Sequence, residues 1–335
     1  MWKSSNSVVL LCRFCYIVCN STILIILTYG SSTHFGAAMI EYLVDVNRAG
    51  WVVSRSLDAI RQRKGIFRLQ ELIPEEILPE GIIEGSADHA RYLFYGSILD
   101  GLRGSMKVWK AARRLAELGL EDILEMPKEE LEQRLKVHLD LGIGNPADTM
   151  RRSAKMLREK YQNDPRQILD GITDFEEARK KVSEFNGLGR QKSSLLIENL
   201  CRFGYVNIRN LLPKIDRHAN RISLGNGVVA ILSDGIELSM HNLQKWLVRK
   251  HDVHISGIVQ RLEGAYAQLG LCTRDAVDFD DAKYVIGSNV CVQNSYARCE
   301  ELCPLDCSML VMMKRHASYA IVPSERRSMQ FELLK

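Results

Sequence analysis

The residues from 187 to 192 read Gly-Leu-Gly-Arg-Gln-Lys and combine a tight turn with positive charge. Because Gly187 and Gly189 carry no side chain, the backbone here can adopt turn conformations, and an anion can approach its N–H groups closely. Arg190 and Lys192 lie beside the turn in the sequence. This combination favours the binding of a phosphate group at the start of a helix.

Two amphipathic helices are predicted on either side of this turn. The apolar residues before it recur at steps of three and four: they are Phe175, Ala178, Val182 and Phe185. Thr173 and Glu176 have capping-box spacing, so we expect the first helix to begin there. After the turn, Leu195, Leu196 and Leu200 indicate a second helix. The sequence therefore predicts a helix-hairpin-helix.

Positive charge is concentrated around this hairpin. Residues 151–221 contain 16 Lys and Arg against 9 Asp and Glu, a net charge of +7, whereas the whole chain carries +4. Such a local excess is typical of a surface that contacts the phosphate backbone of a nucleic acid. An ordinary helix-turn-helix with a solvated basic face would show the same pattern, so the hairpin alone leaves both interpretations open.

A carboxylate follows the second helix, in the sequence Pro-Lys-Ile-Asp-Arg-His of residues 213–218. Asp216 precedes a predicted helix, and Asp is a favoured helix N-cap, so one interpretation of it is purely structural. The hairpin and this segment together resemble the hairpin-plus-aspartate signature of the endonuclease III-like DNA glycosylases, the helix-hairpin-helix base-excision superfamily. The match extends from about Phe94 to Cys307 and places the essential aspartate of the family at Asp216.

The resemblance implies an enzyme that cleaves the N-glycosidic bond of a damaged or mismatched base in double-stranded DNA. Asp216 would stabilise the developing oxocarbenium charge and activate the attacking water. The residues implied to contact DNA are Gly187, Leu188, Gly189, Arg190, Gln191 and His218. For His218, packing at the start of a helix is the alternative.

The hairpin departs from the family pattern at one position. Members that also cleave the DNA strand carry a lysine two residues after the second glycine, and this position is Gln191 here. Lys192 follows one residue later, which turns its side chain by about 100° around the helix. The departure implies a monofunctional glycosylase in which Lys192 contacts phosphate. The alternatives are a bifunctional glycosylase and AP lyase that uses Lys192 as its nucleophile, and a DNA-binding relative without catalysis.

Four cysteines occur within seventeen residues near the end of the chain: Cys291, Cys299, Cys303 and Cys307. Such a cluster indicates metal ligation rather than disulfides in an intracellular protein. Four thiolates can bind a [4Fe–4S] cluster or a tetrahedral zinc ion. The family resemblance implies the iron–sulfur cluster, but the spacing C-x7-C-x3-C-x3-C differs from the C-x6-C-x2-C-x5-C of the family. Zinc and free thiols therefore stay as alternatives.

No run of alternating apolar and polar residues indicates a strand, so the predicted fold is all-α, with two helical lobes and a DNA-binding cleft between them. A helix is predicted from about Phe35 to Ile60. We expect a glycosylase-like domain at 35–285, a cysteine loop at 286–310 and a C-terminal tail at 311–335. Asp100 and Arg103 lie where the family places cleft residues, or else at the exposed end of a helix.

Residues 1–34 form a hydrophobic extension whose apolar part spans residues 8–29. The length suits a membrane span, but Arg13 would cost about 2.5–3.5 kcal/mol at the centre of a bilayer. The segment is either an anchor or targeting signal, or an extension outside the folded domain that arises from a non-native start. We expect an intracellular monomer that acts on DNA, with membrane association only if residues 8–29 are an anchor.

Overall fold

The structure is a computed structural model that describes most residues between 40 and 305. The described residues are 18–19, 22–23, 40–69, 73–101, 105–117, 119, 123–139, 146–233, 236–237, 258–290 and 301–305. They are mainly helical, which confirms the predicted fold class. The α-helices are α1 (Val46–Arg61), α2 (Ala87–Leu99), α3 (Ser105–Ala116), α4 (Lys128–Leu139), α5 (Pro146–Tyr161), α6 (Phe175–Val182), α7 (Arg190–Arg202), α8 (Arg217–Gly225), α9 (258–269) and α10 (Thr273–Asn289). Short 3-10 helices lie at Gly65–Arg68, Pro74–Glu76 and Pro165–Leu169.

A small β-structure accompanies the helices and was not predicted from the sequence. The strands are β1 (Val18–Cys19), β2 (Thr22–Ile23), β3 (Ile40–Val44), β4 (Val229–Ser233) and β5 (Ile236–Glu237). β1 pairs with β2, and β3, β4 and β5 form an antiparallel sheet in that order. The helix predicted from Phe35 to Ile60 is therefore wrong at its beginning. Asp45 divides the segment, because its side chain accepts a hydrogen bond from the Arg48 N–H at 2.9 Å and starts α1.

The first lobe is built around α2, whose residues are almost all buried. Helices α3 to α7 surround it and contribute their apolar faces to one hydrophobic cluster. Close packing of α2 against α3 depends on Gly96, since a Cβ at this position would lie 2.2 Å from the Trp109 ring. The spacing of Phe175, Ala178 and Val182 had predicted the buried face of α6, and all three side chains are buried.

The second lobe combines two separate parts of the chain. Helix α1 and strand β3 come from its N-terminal part, and α8, β4, α9 and most of α10 come from residues after 212. The two parts are joined by the antiparallel pairing of β3 with β4, in which Val44 lies opposite Val229. Packing of α1 on α10 adds to this junction.

A layer of buried charges connects the two lobes. Arg202 on α7 forms ion pairs with Glu198 on its own helix, at 3.2 Å, and with Asp281 on α10. Their side chains are at most 10% exposed, so water screens the pairs weakly. These ion pairs fix α7, which begins at the glycine turn, against α10 of the second lobe.

The membrane anchor considered for residues 8–29 falls largely outside the described residues, which include only 18–19 and 22–23 of that segment. In the part of the chain that the structure describes, no helix has the length and apolar character needed to cross a membrane. The boundaries expected at residues 34, 285 and 310 stay predictions.

Candidate functional site

The hairpin turn joins α6 to α7 and depends on Gly187. This residue has a φ of +82°, a backbone conformation that residues with a side chain rarely adopt. A Cβ added there would also lie 2.5 Å from Cγ2 of Thr149 and 3.3 Å from Cγ2 of Ile98. Gly187 is thus required both by its conformation and by its contacts with α5 and α2. The helix before the turn begins at a different cap from the predicted one, since Asp174, rather than Thr173, caps α6.

The second glycine has a different role. Gly189 is the N-cap of α7 with a φ of −72°, so its backbone needs no glycine. A Cβ added at Gly189 would meet nothing within 4 Å, and no side chain caps the helix there. The first N–H groups of a helix lack partners within it, so this open end of α7 can accept an anion.

The other predicted contact residues of the turn point in different directions. The side chain of Leu188 is buried in the first lobe, so only its backbone can face a ligand. Arg190 is 55% exposed and forms an ion pair with Glu263 on α9, which also binds the buried Arg179. The hydrogen bond that Arg190 donates to Glu263 raises the pKa of Arg190. The positive charge of Arg190 is thus shared with a carboxylate.

Gln191 and Lys192 contact different parts of the structure. The side-chain amide of Gln191 donates a hydrogen bond at 3.2 Å to the carbonyl oxygen of Ile215, the residue before Asp216. The amine of Lys192 donates one at 2.6 Å to the carbonyl oxygen of Ile98, near the end of α2. Burial lowers the pKa of Lys192. The predicted contact between Lys192 and phosphate does not fit this inward orientation, because its amine already has a main-chain partner.

Asp216 is the N-cap of α8, as one interpretation of the sequence had it. Its Oδ1 accepts hydrogen bonds from the N–H groups of His218 at 2.8 Å and Ala219 at 3.0 Å. Its Oδ2 lies 3.9 Å from Nζ of Lys214, and 23% of the side chain is exposed. Burial by itself would raise the pKa of Asp216, but the charges of His218, Lys214 and Lys283 hold it well below its usual range. The carboxylate is therefore ionised and has one oxygen that the helix cap does not use.

Lys214 is a site residue that sequence reasoning missed. Its Nζ lies between two carboxylates, 3.8 Å from Oδ2 of Asp100 and 3.9 Å from Oδ2 of Asp216. Its side chain is only 14% exposed. The position of Asp100, directly after the buried residues of α2, was the available signal, because a buried carboxylate needs a cation as its partner.

His218, which the family resemblance implied as a DNA contact, is buried. Its ring packs edge-on against Tyr284, with ring centroids 5.9 Å apart. A Cβ at Gly287 would lie 2.5 Å from the His218 Nδ1, so the imidazole fills the space that this glycine leaves on α10. A direct contact of the His218 side chain with DNA does not fit this position, and the alternative of a packed helix-start histidine fits it.

Of the four clustered cysteines, only Cys303 is among the described residues. Its side chain is partly buried and packs against the second lobe. Cys291, Cys299 and Cys307 lie outside the described residues. Within the described part, no group of three or more His, Cys, Asp or Glu side chains could hold a metal ion. Ligation by the cysteine loop therefore stays a prediction.

Comparison with known proteins adds one finding. No family model matches this sequence, and no curated protein matches it. The structure is similar to a solved structure of endonuclease III trapped as a covalent intermediate with DNA, in an estranged-adenine complex. The likeness covers 81% of this chain and 99% of that chain, with 15% sequence identity and a TM-score of 0.48.

Proposed function

We propose that this chain is a DNA N-glycosylase that removes a damaged or mismatched base from double-stranded DNA. The observation that carries the proposal is the state of Asp216, an ionised carboxylate of a 23% exposed side chain, with one oxygen bound by the start of α8 and the other not used by the cap. Such a group can stabilise an oxocarbenium ion and activate water. The target base would leave the stack before it reacts.

The glycine turn would hold the DNA backbone beside this carboxylate. The hydrogen bond from Gln191 to Ile215 connects the first turn of α7 to the segment that ends in Asp216. A phosphate bound at the open N-terminus of α7 would thus be placed in a fixed relation to Asp216. The exposed guanidinium of Arg190 would add a charge contact. We infer that the cleft between the two lobes receives the duplex.

The monofunctional mechanism is our first choice. Gln191 occupies the position of the family's strand-cleaving lysine, and an amide cannot form a Schiff base with the sugar. The bifunctional mechanism is the second candidate, and it has one supporting observation. Burial lowers the pKa of Lys192, although the nearby charge of Asp100 opposes this effect, and a neutral amine is the form that attacks. Attack would first require release of Lys192 from the carbonyl of Ile98.

We further propose that Cys291, Cys299, Cys303 and Cys307 hold a [4Fe–4S] cluster. The donor set of four cysteines suits such a cluster, and the partly buried Cys303 would place it against the second lobe. Protein purified without oxygen should then be brown and contain about four iron atoms per chain. Colourless protein with one zinc ion per chain would contradict the cluster.

We expect the protein to act as a monomer inside the cell, and to associate with membranes only if residues 8–29 form an anchor.

Replacement of Asp216 by Asn tests the proposed function. Asn keeps the hydrogen bonds of the helix cap but removes the negative charge. We expect Asp216→Asn to bind DNA like the wild type and to lose base release by a factor of about 100 or more. Duplexes that carry a panel of damaged and mismatched bases are incubated with each protein, then treated with hot alkali to reveal abasic sites.

Asp174→Asn is the matched control, because Asp174 also caps a helix through two backbone N–H groups but lies at the start of α6. Its activity should equal that of the wild type. A wild-type protein that releases no base from any duplex, while it still binds DNA, would instead identify a non-catalytic DNA-binding protein.

A further inference from the structure

Lys214 is a largely buried lysine that lies between two carboxylates of different segments. Asp100 follows α2 in the first lobe, and Asp216 begins α8 in the second lobe. The ammonium group of Lys214 is within 4 Å of both, so it links the end of α2 to the start of α8. We propose that Lys214 is a positioning residue, whose buried ammonium stabilises the negative charge of the Asp216 carboxylate and fixes the direction of its Oδ2.

The position of Lys214 is itself held by other groups. Nζ of Lys283 on α10 donates a hydrogen bond to the carbonyl oxygen of Lys214 and another, at 2.6 Å, to Oδ1 of Asp280. The hydroxyl of Ser105 donates one at 3.2 Å to Oδ1 of Asp100, which leaves Oδ2 of Asp100 for Lys214. Backbone and partner are thus both fixed, and the ammonium has little freedom to leave.

The surroundings of Lys214 are strongly charged. Besides Asp216, the groups that face it from the neighbouring elements are Glu75, Asp100, Glu198, Asp280, Lys283 and Tyr284. Burial lowers the pKa of Lys214, but the carboxylates outweigh this effect and the pKa lies above its usual value. Lys214 is therefore a permanent cation at neutral pH. A protonated amine cannot attack the sugar, so its role is electrostatic.

The distance and the burial give this cation its effect. Two charges about 4 Å apart interact several times more strongly in a protein site than in bulk water. An opposite charge at 4–6 Å shifts a carboxyl pKa down by about 1–3 units. Lys214 is the charged side chain nearest to Oδ2 of Asp216 among the described ion pairs, whereas Oδ1 is held by backbone N–H groups. Loss of the ammonium should therefore change the protonation of Asp216 while the helix cap remains.

Carboxyl NMR tests the electrostatic contact without any need for activity. Protein labelled with ¹³C at the aspartate carboxyl carbon is titrated from neutral to acidic pH, and the Asp216 signal is assigned by its loss in Asp216→Asn. We expect the midpoint of this signal to rise by about one pH unit or more in Lys214→Met. Lys214→Arg keeps the charge and should keep the midpoint near that of the wild type. An unchanged midpoint in Lys214→Met would overturn the proposal.

A second pair of variants covers the case in which Lys214→Met does not fold, since it leaves Asp100 without its cation. Asp100→Asn is compared with the double variant Asp100→Asn/Lys214→Met. In the double variant, Asp100 no longer carries the negative charge that Lys214→Met alone would leave without a cation. The Asp216 midpoint should be higher in the double variant than in Asp100→Asn, by an amount similar to the rise expected for Lys214→Met alone. Equal midpoints in these two proteins would likewise contradict the role of Lys214.

The consequence for catalysis rests on the proposed function and is measured separately. In base-release assays, the acid limb of the pH–rate profile should move to higher pH in Lys214→Met and return in Lys214→Arg. A rise of the NMR midpoint without base release from any duplex would refute the glycosylase activity and leave the electrostatic contact established. An acid limb that stays in place despite a raised midpoint would show that Lys214 does not act on the reaction through Asp216.

Discussion

The amine of Lys192 donates a hydrogen bond to the carbonyl oxygen of Ile98 across 2.6 Å. This carbonyl belongs to the last turn of α2, where the helix dipole attracts positive charge. Lys192 is therefore directed to the first lobe, whereas the preceding Gln191 reaches the carbonyl of Ile215, next to Asp216. A step of one residue along α7 thus separates a side chain that contacts the residue before the candidate carboxylate from one that contacts the end of α2.

Gln191→Lys should give the protein a strand-cleaving activity that we expect the wild type to lack. The new amine would lie where the Gln191 amide now contacts the segment of Asp216. Because this position holds the strand-cleaving lysine in the endonuclease III-like glycosylases that the sequence resembles, we expect Gln191→Lys to form a covalent adduct with DNA when borohydride is added, and to nick the strand after base release. The wild type should give little adduct and little nicking. The covalent protein–DNA adduct and the nicked strand are both measured on denaturing gels.

Two further variants are the controls for this experiment. Gln191→Met has a side chain of similar length without an amine and should not be trapped. Lys192→Ala should leave the weak trapping of the wild type unchanged, because its amine is bound at Ile98. Strong trapping of the wild type that disappears in Lys192→Ala would instead identify Lys192 as the nucleophile.

The Asp216 carboxylate should stabilise the folded protein at neutral pH and lose this effect in acid. Burial raises its pKa, but the nearby His218, Lys214 and Lys283 charges lower it more, so the folded pKa lies below the unfolded one. The contribution is then complete above the unfolded value of about 4 and is lost as the pH falls towards the folded pKa. We expect urea unfolding to show the wild type more stable than Asp216→Asn by about 2 kcal/mol at pH 7, and the difference to narrow below pH 4. A difference that is the same at pH 7 and pH 3.5 would contradict the depressed pKa.

Glu263 should weaken DNA binding, because its carboxylate neutralises Arg190 beside the open end of α7. Glu263→Gln should tighten binding to all sequences alike and steepen the salt dependence by up to about one unit of slope, while Arg190→Ala should have the opposite effect. Binding to a labelled duplex is followed by fluorescence anisotropy at several salt concentrations. Lys155→Ala on the surface of α5 serves as a control for loss of charge elsewhere. If Glu263→Gln and Arg190→Ala gave equal slopes of DNA affinity against salt concentration, the DNA-binding surface would lie away from the N-terminus of α7.

Substitution by Ala should have different effects at the two glycines of the turn, lowering stability at Gly187 and DNA binding at Gly189. Gly187→Ala introduces a side chain at a φ of +82° and a contact of 2.5 Å with Thr149, so we expect the free energy of unfolding to fall by about 2 kcal/mol or more. Gly189→Ala meets open space and should cost less than about 1 kcal/mol, yet weaken DNA binding several-fold, because its methyl group stands before the N–H groups of α7. Thermal unfolding and anisotropy measure the two effects. A Gly189→Ala protein with unchanged affinity would argue against phosphate binding at this turn.

The hairpin could be predicted from the sequence because its signals are local. The period of apolar residues in α6 and α7 and the glycine turn between them lie within thirty residues. The role of Asp216 as a helix cap was also visible, because Asp before a helical pattern is a common N-cap. Non-local relationships were missed for a physical reason. The strand Ile40–Val44 carries apolar residues on both faces, apart from Glu41, and only its pairing with Val229–Ser233 distinguishes it from the start of a helix.

Lys214 illustrates the same limit within the site. A lysine between a proline and an isoleucine is normally read as a surface charge, and the period of the segment gives no sign of burial. Its burial follows from the approach of α2, which brings Asp100 to it from more than one hundred residues earlier.

The pairing of β3 with β4 has a consequence for how the chain folds during its synthesis. Val44 leaves the ribosome about 185 residues before its partner Val229, a delay of roughly ten to forty seconds at ordinary translation rates. Most of the first lobe lies between these two positions and can form most of its core while β3 and α1 still lack their partners. The apolar face of α1 is therefore exposed during this interval, and a chaperone that shields it would favour correct assembly of the nascent protein.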